Sequence, residues 1–422
     1  MGDAGVNDGR TSHSGPSDTG AGAGATRAGQ GPAITAAAAA VRLVAEAVRE
    51  GVAPAAVLAV GRAGAGAATE NGSPYEIHTF GRTHPTAAAP PVTEETVFDL
   101  ASLTKVVATT PAVLRLIDAG QLALDDPVAR YLPAYAKGAK ARVTLRHLLT
   151  HTSGLPADEP FYQRETSPTG LRAAIAATPL VARPASTVRY SDIGFMTLGF
   201  VLEAVTGSTL DSAVQELVFT PLGLASTSYV PVHALGIDFA PTEPRPGTGE
   251  PRFGVVHDEN AEALDGVAGH AGVFSTIGDL VSYLRQAWLS PESAGAGGDF
   301  LSPAIRDAAT TCWTRHLNGR RGLGWVLARD RWDHMTAAWP EGRAGHTGFT
   351  GTSIAFDPAS GLWTVLLTNA VYHGRDHAGI ALLRRTVHAA VAAWAETAWP
   401  EAALPTEGSA ASSAAPAAEP PA

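Results

Sequence analysis

The sequence predicts an α+β fold: an antiparallel sheet built from both ends of the chain and flanked by helices, plus a central, mostly helical lobe. Three observations predict it. The β-prone runs "PAAVLAVGR" and "YEIHTFGR" stand near the start, separated by Gly, Asn and Pro, as a pair of adjacent antiparallel strands would be. "GTSIAFDP" and "LWTVLLTNA" stand near the end, and the stretch between, roughly 106–240, carries helical patterns broken by Pro and Gly. No strand–helix alternation of a doubly wound sheet runs through the chain.

Taken in order, "AITAAAAAVRLVAEAV" is broken by Arg42 and Glu46 and reads as an amphipathic helix that leads into the first strand pair. From Ser102 to about Gly120 the pattern turns helical, with Gly120 as a C-terminal stop. The middle supplies "TLRHLLTH", "FMTLGFVLEAVTG" and "LDSAVQELVFTPLG", and after the late strands "HAGIALLRRTVHAAVAAWAETA" closes the chain as a helix. Residues 1–33 and 405–422 are low-complexity and are expected to be disordered tails. The folded unit is then 34–404, with a sheet lobe of about 34–100 and 250–404 and a helical lobe of about 101–249. A cleft between such lobes is where a site belongs.

Composition narrows the functions. At 45% hydrophobic and 17% charged, the 422 residues can build a core. A net charge of −10 argues against a nucleic-acid partner. A single cysteine, Cys312, excludes a disulfide framework and any multi-cysteine metal site, and no cofactor motif follows a strand. No uncharged apolar run reaches the roughly 18 residues of a membrane span, and no signal-peptide apolar block is present, so a cytoplasmic location is expected. The expected partner is a small-molecule or peptide substrate; the sequence says nothing of oligomeric state.

The chemistry begins in "FDLASLTKVVATT", where Ser102 precedes Lys105, one of only three lysines. On a helix, a residue three positions on lies one turn above on the same face, within reach of the hydroxyl. Serine needs a base to become a nucleophile. An amine can serve if its pKa falls from about 10.4 toward about 7–8, and burial beside Val106 and Val107 predicts that fall. Further on, "RYSDIGFMTLG" offers Tyr190 and Asp192 at a helix start, and "GHTGFTGTSIAFDP" places His346, Thr347 and Gly348 before a strand.

The order Ser-x-x-Lys, Tyr-x-Asx, basic residue-Thr-Gly resembles the three-element signature of the serine β-lactamase and penicillin-binding protein superfamily. "VTLRHLLTHTSGLP", "DDPVARYLP" and "GVAGHAGVFSTIGDL" resemble its class C-like branch, which holds class C β-lactamases, family VIII carboxylesterases, D-aminopeptidases and D-alanyl carboxypeptidases. The resemblance spans about 35–400. It implies a β-lactamase/transpeptidase-like fold and an acyl-enzyme on Ser102, with Lys105 and Tyr190 sharing the proton transfers, the latter as a phenolate beside an ammonium. It also implies an oxyanion hole from the backbone N–H groups of Ser102 and Phe349.

Two departures bear on substrate. The third element has His346 where β-lactamases and carboxypeptidases have a lysine that attracts the substrate carboxylate, and Arg343, three residues upstream, either restores that charge or is a solvated surface residue. Asp192 stands where enzymes acting on β-lactams commonly have asparagine; an ionised carboxylate only accepts, so Asp192 suits a substrate donor or a bond to Lys105. "VVHDENAEALDGVAGHAGVF" gathers His257, Asp258, Glu259, Asn260 and His270 in a spacing that fits no standard metal set. It reads as a substrate-facing loop with His257 and Asn260 as binding residues, and members linked to cell-wall recycling carry a similar run. The expected function is a serine hydrolase of ester or amide bonds; alternatives are a D-amino-acid peptidase or β-lactamase proper, an acyltransferase, and a non-catalytic penicillin-binding-like protein.

Overall fold

"AAVLAV" and "LWTVLL" are apolar at every position rather than at alternate ones, and the structure shows why: both strands are covered on both faces. The computed structural model describes residues 38–63, 75–230, 238–245, 247, 249–289, 299–376 and 378–398. Its strands are β1 (Ala55–Arg62), β2 (Tyr75–Gly81), β3 (Val97–Asp99), β4 (Ser228–Tyr229), β5 (Phe239–Ala240), β6 (Val273–Ser275), β7 (Val326–Leu327), β8 (Ala344–Thr347), β9 (Ser353–Phe356) and β10 (Leu362–Thr368). The main sheet runs β2-β1-β10-β9-β8-β7, antiparallel throughout, so the two ends of the chain meet at its centre. Val60 lies opposite Thr364, and Ala56 opposite Thr368.

Successive side chains of β1 feed two cores. Ala56, Leu58 and Val60 pack with Val44, Ile380 and Val387 under the first helix (Ala38–Arg49) and the closing helix (Ala378–Ala398). Ala55, Val57 and Ala59 face the larger core, shared with the helices Thr110–Asp118, Asp192–Thr206 and Ile277–Leu284.

Two features depart from the sequence expectation. A second, small sheet of order β4-β6-β3-β5 was not anticipated, because strands of two or three residues are too short to show a period of two. The expected helix from Ser102 is three pieces: a 3-10 turn (Ala101–Leu103), a π turn (Lys105–Thr109) and an α-helix (Thr110–Asp118), after which Gly120 adopts φ +70°. A π turn inside a helix recurs at functional sites. The two tails expected to be disordered lie outside the described residues. No single helix among the described residues is long and apolar enough to cross a membrane.

Candidate active site

Ser102 is held on a strained turn. Ala101 has φ +48°, a conformation costly for a residue with a Cβ. Three bonds hold it there: the Ala101 N–H donates to Asp99 Oδ1 at 2.8 Å, Thr350 Oγ1 donates to the Asp99 carbonyl at 2.7 Å, and Thr352 Oγ1 to the Leu100 carbonyl at 3.1 Å. The other Asp99 oxygen accepts the His257 N–H at 2.7 Å. Burial nonetheless pushes the Asp99 carboxyl up.

Lys105 is fully buried, and Ser102 and Asp192 are half-buried. The ammonium donates to Ser102 Oγ at 2.9 Å and to the His270 carbonyl at 3.0 Å, and pairs with Asp192 Oδ1 at 2.7 Å. This geometry corrects the expectation that burial makes Lys105 a free amine. Burial does pull its pKa down, but the Asp192 carboxylate and the nearby Tyr190 outweigh it, so the net shift is upward and the ammonium persists. Asp192 reaches the lysine because it opens a helix: Ser191 caps it by accepting the Gly194 N–H at 3.1 Å, and the Asp192 N–H is tied to the Ala157 carbonyl at 2.8 Å.

The Tyr190 hydroxyl reaches both Lys105 and Ser102, and the ammonium lies 5.0 Å from its ring centroid. Burial raises the phenol pKa, and Lys105 only partly offsets that, so the resting side chain is a phenol; the phenolate expectation is corrected accordingly. The His151 ring of the HTSGL stretch packs tilted against Tyr190 at 4.6 Å, and its Nδ1 accepts the Ser191 N–H, 3.1 Å away. That stretch is therefore the platform for Tyr190 and Ser191.

The third element borders Tyr190. His346 is buried in β8, with its ring 5.9 Å from that of Tyr190, and Thr347 ends the strand half-buried. Burial, with the Lys105 and Arg321 charges near, holds the imidazole well below its ordinary pKa and hence neutral. Gly348 is required by contact: a Cβ there would stand 2.2 Å from Thr352 Oγ1 and 2.4 Å from the Leu100 carbonyl oxygen. Its N–H donates to the Thr352 carbonyl at 2.8 Å, which closes the turn that carries Phe349, and the Thr352 hydroxyl bonded to the Leu100 carbonyl holds that turn against the one that carries Ser102.

The remaining expected residues are placed differently. Arg343 is 3% exposed and pairs with Asp333 at 2.8 Å, donating also to the Trp339 and Pro340 carbonyls, so its charge is spent in the scaffold rather than on a substrate. Asn260 is likewise structural: Oδ1 accepts the Tyr162 N–H, and Nδ2 donates to Asp158 and to the Glu159 carbonyl, stitching two loops together. His257 pairs with Glu243 at 3.1 Å and stacks on the Phe349 ring at 5.8 Å, so it meets the cleft through that ring. Asp258 pairs with His270 at 3.0 Å, which orients the loop whose carbonyl receives Lys105. No group of three or more His, Cys, Asp or Glu among the described residues is placed to hold a metal ion. Sequence reasoning missed Asp99 and the His270 carbonyl. Asp99 stands three residues before Ser102, a visible signal, whereas a backbone carbonyl leaves none.

A serine bonded to a buried lysine, with a tyrosine beside both and a Thr-Gly turn near it, on an antiparallel sheet joined to a helical layer, defines a serine hydrolase of the β-lactamase fold. The chain belongs to the β-lactamase family: the family model described as Beta-lactamase matches residues 40–389. It is 35% identical over 309 residues to "Putative D-alanyl-D-alanine carboxypeptidase" of Escherichia coli K12, covering 66% of this chain and 70% of that one. It is 33% identical over 314 residues to "N-acetylmuramyl-L-alanine amidase" of Bacillus subtilis 168, covering 65% and 68%. In structure it is similar to EstCE1, a hydrolase with promiscuous acyltransferase activity, with a TM-score of 0.66, 24% identity, and 84% and 98% of the two chains covered.

Proposed function

We propose that this chain hydrolyses an amide or ester bond whose acyl part is uncharged, through an acyl-enzyme on Ser102. The observation that carries the proposal is the Lys105 ammonium held between Ser102 Oγ, 2.9 Å away, and Asp192, 2.7 Å away. As Ser102 attacks the carbonyl, Lys105 passes a proton to Asp192 and takes the serine proton in its place. Tyr190, kept as a phenol, protonates the leaving group and recovers a proton from Lys105, to which Asp192 then returns its own, and water releases the acyl group from Ser102 by the same proton transfers in reverse. The serine proton is thereby exchanged for the one on the leaving group. The N–H groups of Ser102 and Phe349 stabilise the oxyanion.

The acyl preference follows from charge. His346 is neutral and Arg343 is buried against Asp333, so neither attracts a substrate carboxylate. Asp158 and Asp192 lie at the lysine end, and burial together with the Asp192 charge pushes the Asp158 carboxyl up. The identity to the B. subtilis amidase favours muropeptide amides as the natural class. The reading is tested with p-nitrophenyl esters, muropeptide amides and nitrocefin: kcat/KM for an uncharged ester or amide is expected to exceed that for nitrocefin by at least about 10-fold, the scale of one lost charge contact. Nitrocefin turnover equal to the best ester would contradict it.

A further inference from the structure

A buried cation with no carboxylate stands behind the turn that carries Phe349. Arg384 projects from the closing helix and is 9% exposed. Its Nη2 donates to the Gly348 carbonyl at 2.6 Å and to the Thr352 carbonyl at 2.9 Å. No carboxylate among the described residues pairs with it, in contrast to the buried Arg321 and Arg343, which pair with Asp330 and Asp333. Burial alone pushes its pKa down, to about 10, which leaves it charged at neutral pH. An uncompensated charge in a protein interior is costly, and two carbonyls are a poor substitute for a carboxylate.

The acceptor tells what the charge does. The Gly348 carbonyl and the Phe349 N–H belong to one peptide unit. In a trans peptide the C=O and N–H point in opposite directions, so a donor gripping the carbonyl from behind leaves the N–H facing away from the helix. A charge-assisted bond to the carbonyl draws electron density off the nitrogen through amide resonance and makes the N–H a stronger donor. The same carbonyl also accepts the Gly351 N–H at 3.1 Å, and the Thr352 carbonyl accepts the Gly348 N–H, so the peptide cannot rotate away.

We propose that Arg384 is a positioning residue for oxyanion stabilisation: bound to the Gly348 carbonyl, it polarises and fixes the peptide whose other end, the Phe349 N–H, faces the developing negative charge. This rests on the reading of Phe349 N–H as an oxyanion donor. Arg384 touches no substrate, so its effect belongs to the transition state rather than to ground-state binding.

Wild-type chain, Arg384→Met and Arg384→Lys are compared by three measurements. These are the rate constant for fluorophosphonate labelling, the affinity for a boronic acid that forms a tetrahedral adduct, and the carbonyl stretch of the acyl-enzyme made from a ¹³C-labelled ester. Arg384→Met is expected to lower labelling about 10- to 100-fold, below the full loss of one oxyanion donor, and to weaken the boronate in proportion while ester KM changes less than about 3-fold. The acyl carbonyl stretch moves to higher frequency, and Arg384→Lys, which keeps the charge, recovers most of each effect. If Arg384→Met fails to fold, Arg384→Lys still shows a stretch between wild type and an acyl group free in water. Unchanged labelling in a folded Arg384→Met overturns the proposal, as does slower labelling in either variant with an unmoved carbonyl stretch, which would mark a purely structural role. A wild-type chain that takes no label at all refutes the acyl-enzyme reading instead.

Discussion

Asp192→Asn is expected to lower kcat/KM on an ester by about 10²–10⁴, the range of a lost proton acceptor, and to change the shape of the pH profile. In the wild-type chain Lys105 is held above its ordinary 10.5 and Tyr190 above its ordinary 10.0, so neither changes state below about pH 10. Activity is therefore flat on the alkaline side from neutrality to about pH 10. Asparagine removes the largest upward influence on Lys105, while burial, the largest influence of all, still acts downward and is expected to lower its pKa. The proton acceptor in the variant is then the free amine. Its fraction grows as pH rises through the lowered pKa, so the rate climbs with pH where the wild-type rate is level. A full kcat/KM profile of both proteins checks this; a variant with the wild-type profile at wild-type rates would show that Asp192 takes no part.

Gly348→Ala is expected to remove activity by at least about 10²-fold and to destabilise the fold by about 1–3 kcal/mol, the usual cost of forcing atoms into a filled space. The new methyl would stand 2.4 Å from the Leu100 carbonyl oxygen and 2.2 Å from Thr352 Oγ1. The first of these is backbone, two residues from the nucleophile, and cannot swing aside. The turn must lift away from Ser102, taking the Phe349 N–H with it. Gly207→Ala separates the site effect from the stability effect: at φ +70°, with no atom within 4 Å of the added methyl, it strains the backbone alone. It also lies at the far end of the 15-residue helix that Asp192 opens, about 20 Å from the chemistry. Thermal melts and ester turnover on both variants should show comparable destabilisation but loss of activity only in Gly348→Ala. Gly348→Ala with wild-type kcat would contradict the close packing of the two turns.

Much of this fold was legible because its central strands are long. "PAAVLAVGR" and "LWTVLLTNA" declare themselves by apolar runs bounded by turn residues, and they are the pair that joins the chain ends. The small sheet around β3 was hidden by its brevity, and so was the single π turn at Lys105, five residues set inside a longer helical pattern. The site was legible as three ordered motifs, because covalent chemistry restricts residue type. What the sequence could not show was electrostatic balance. Burial of Lys105 and a bond to Asp192, 87 positions away, were both readable, but the sequence could not say which would prevail, and the net shift is upward. Arg343 misled for the same reason: three residues from His346, it looked available until Asp333 was seen beside it.

The central claim is that Ser102 is the nucleophile of a working acyl-enzyme, and intact-mass spectrometry after fluorophosphonate treatment tests it most directly. The wild-type chain should gain one phosphonyl group, mapped to the peptide containing Ser102 and Lys105, whereas Ser102→Ala should gain none. Labelling of Ser102→Ala at the wild-type rate, or a wild-type chain that stays unmodified while remaining folded, would contradict it.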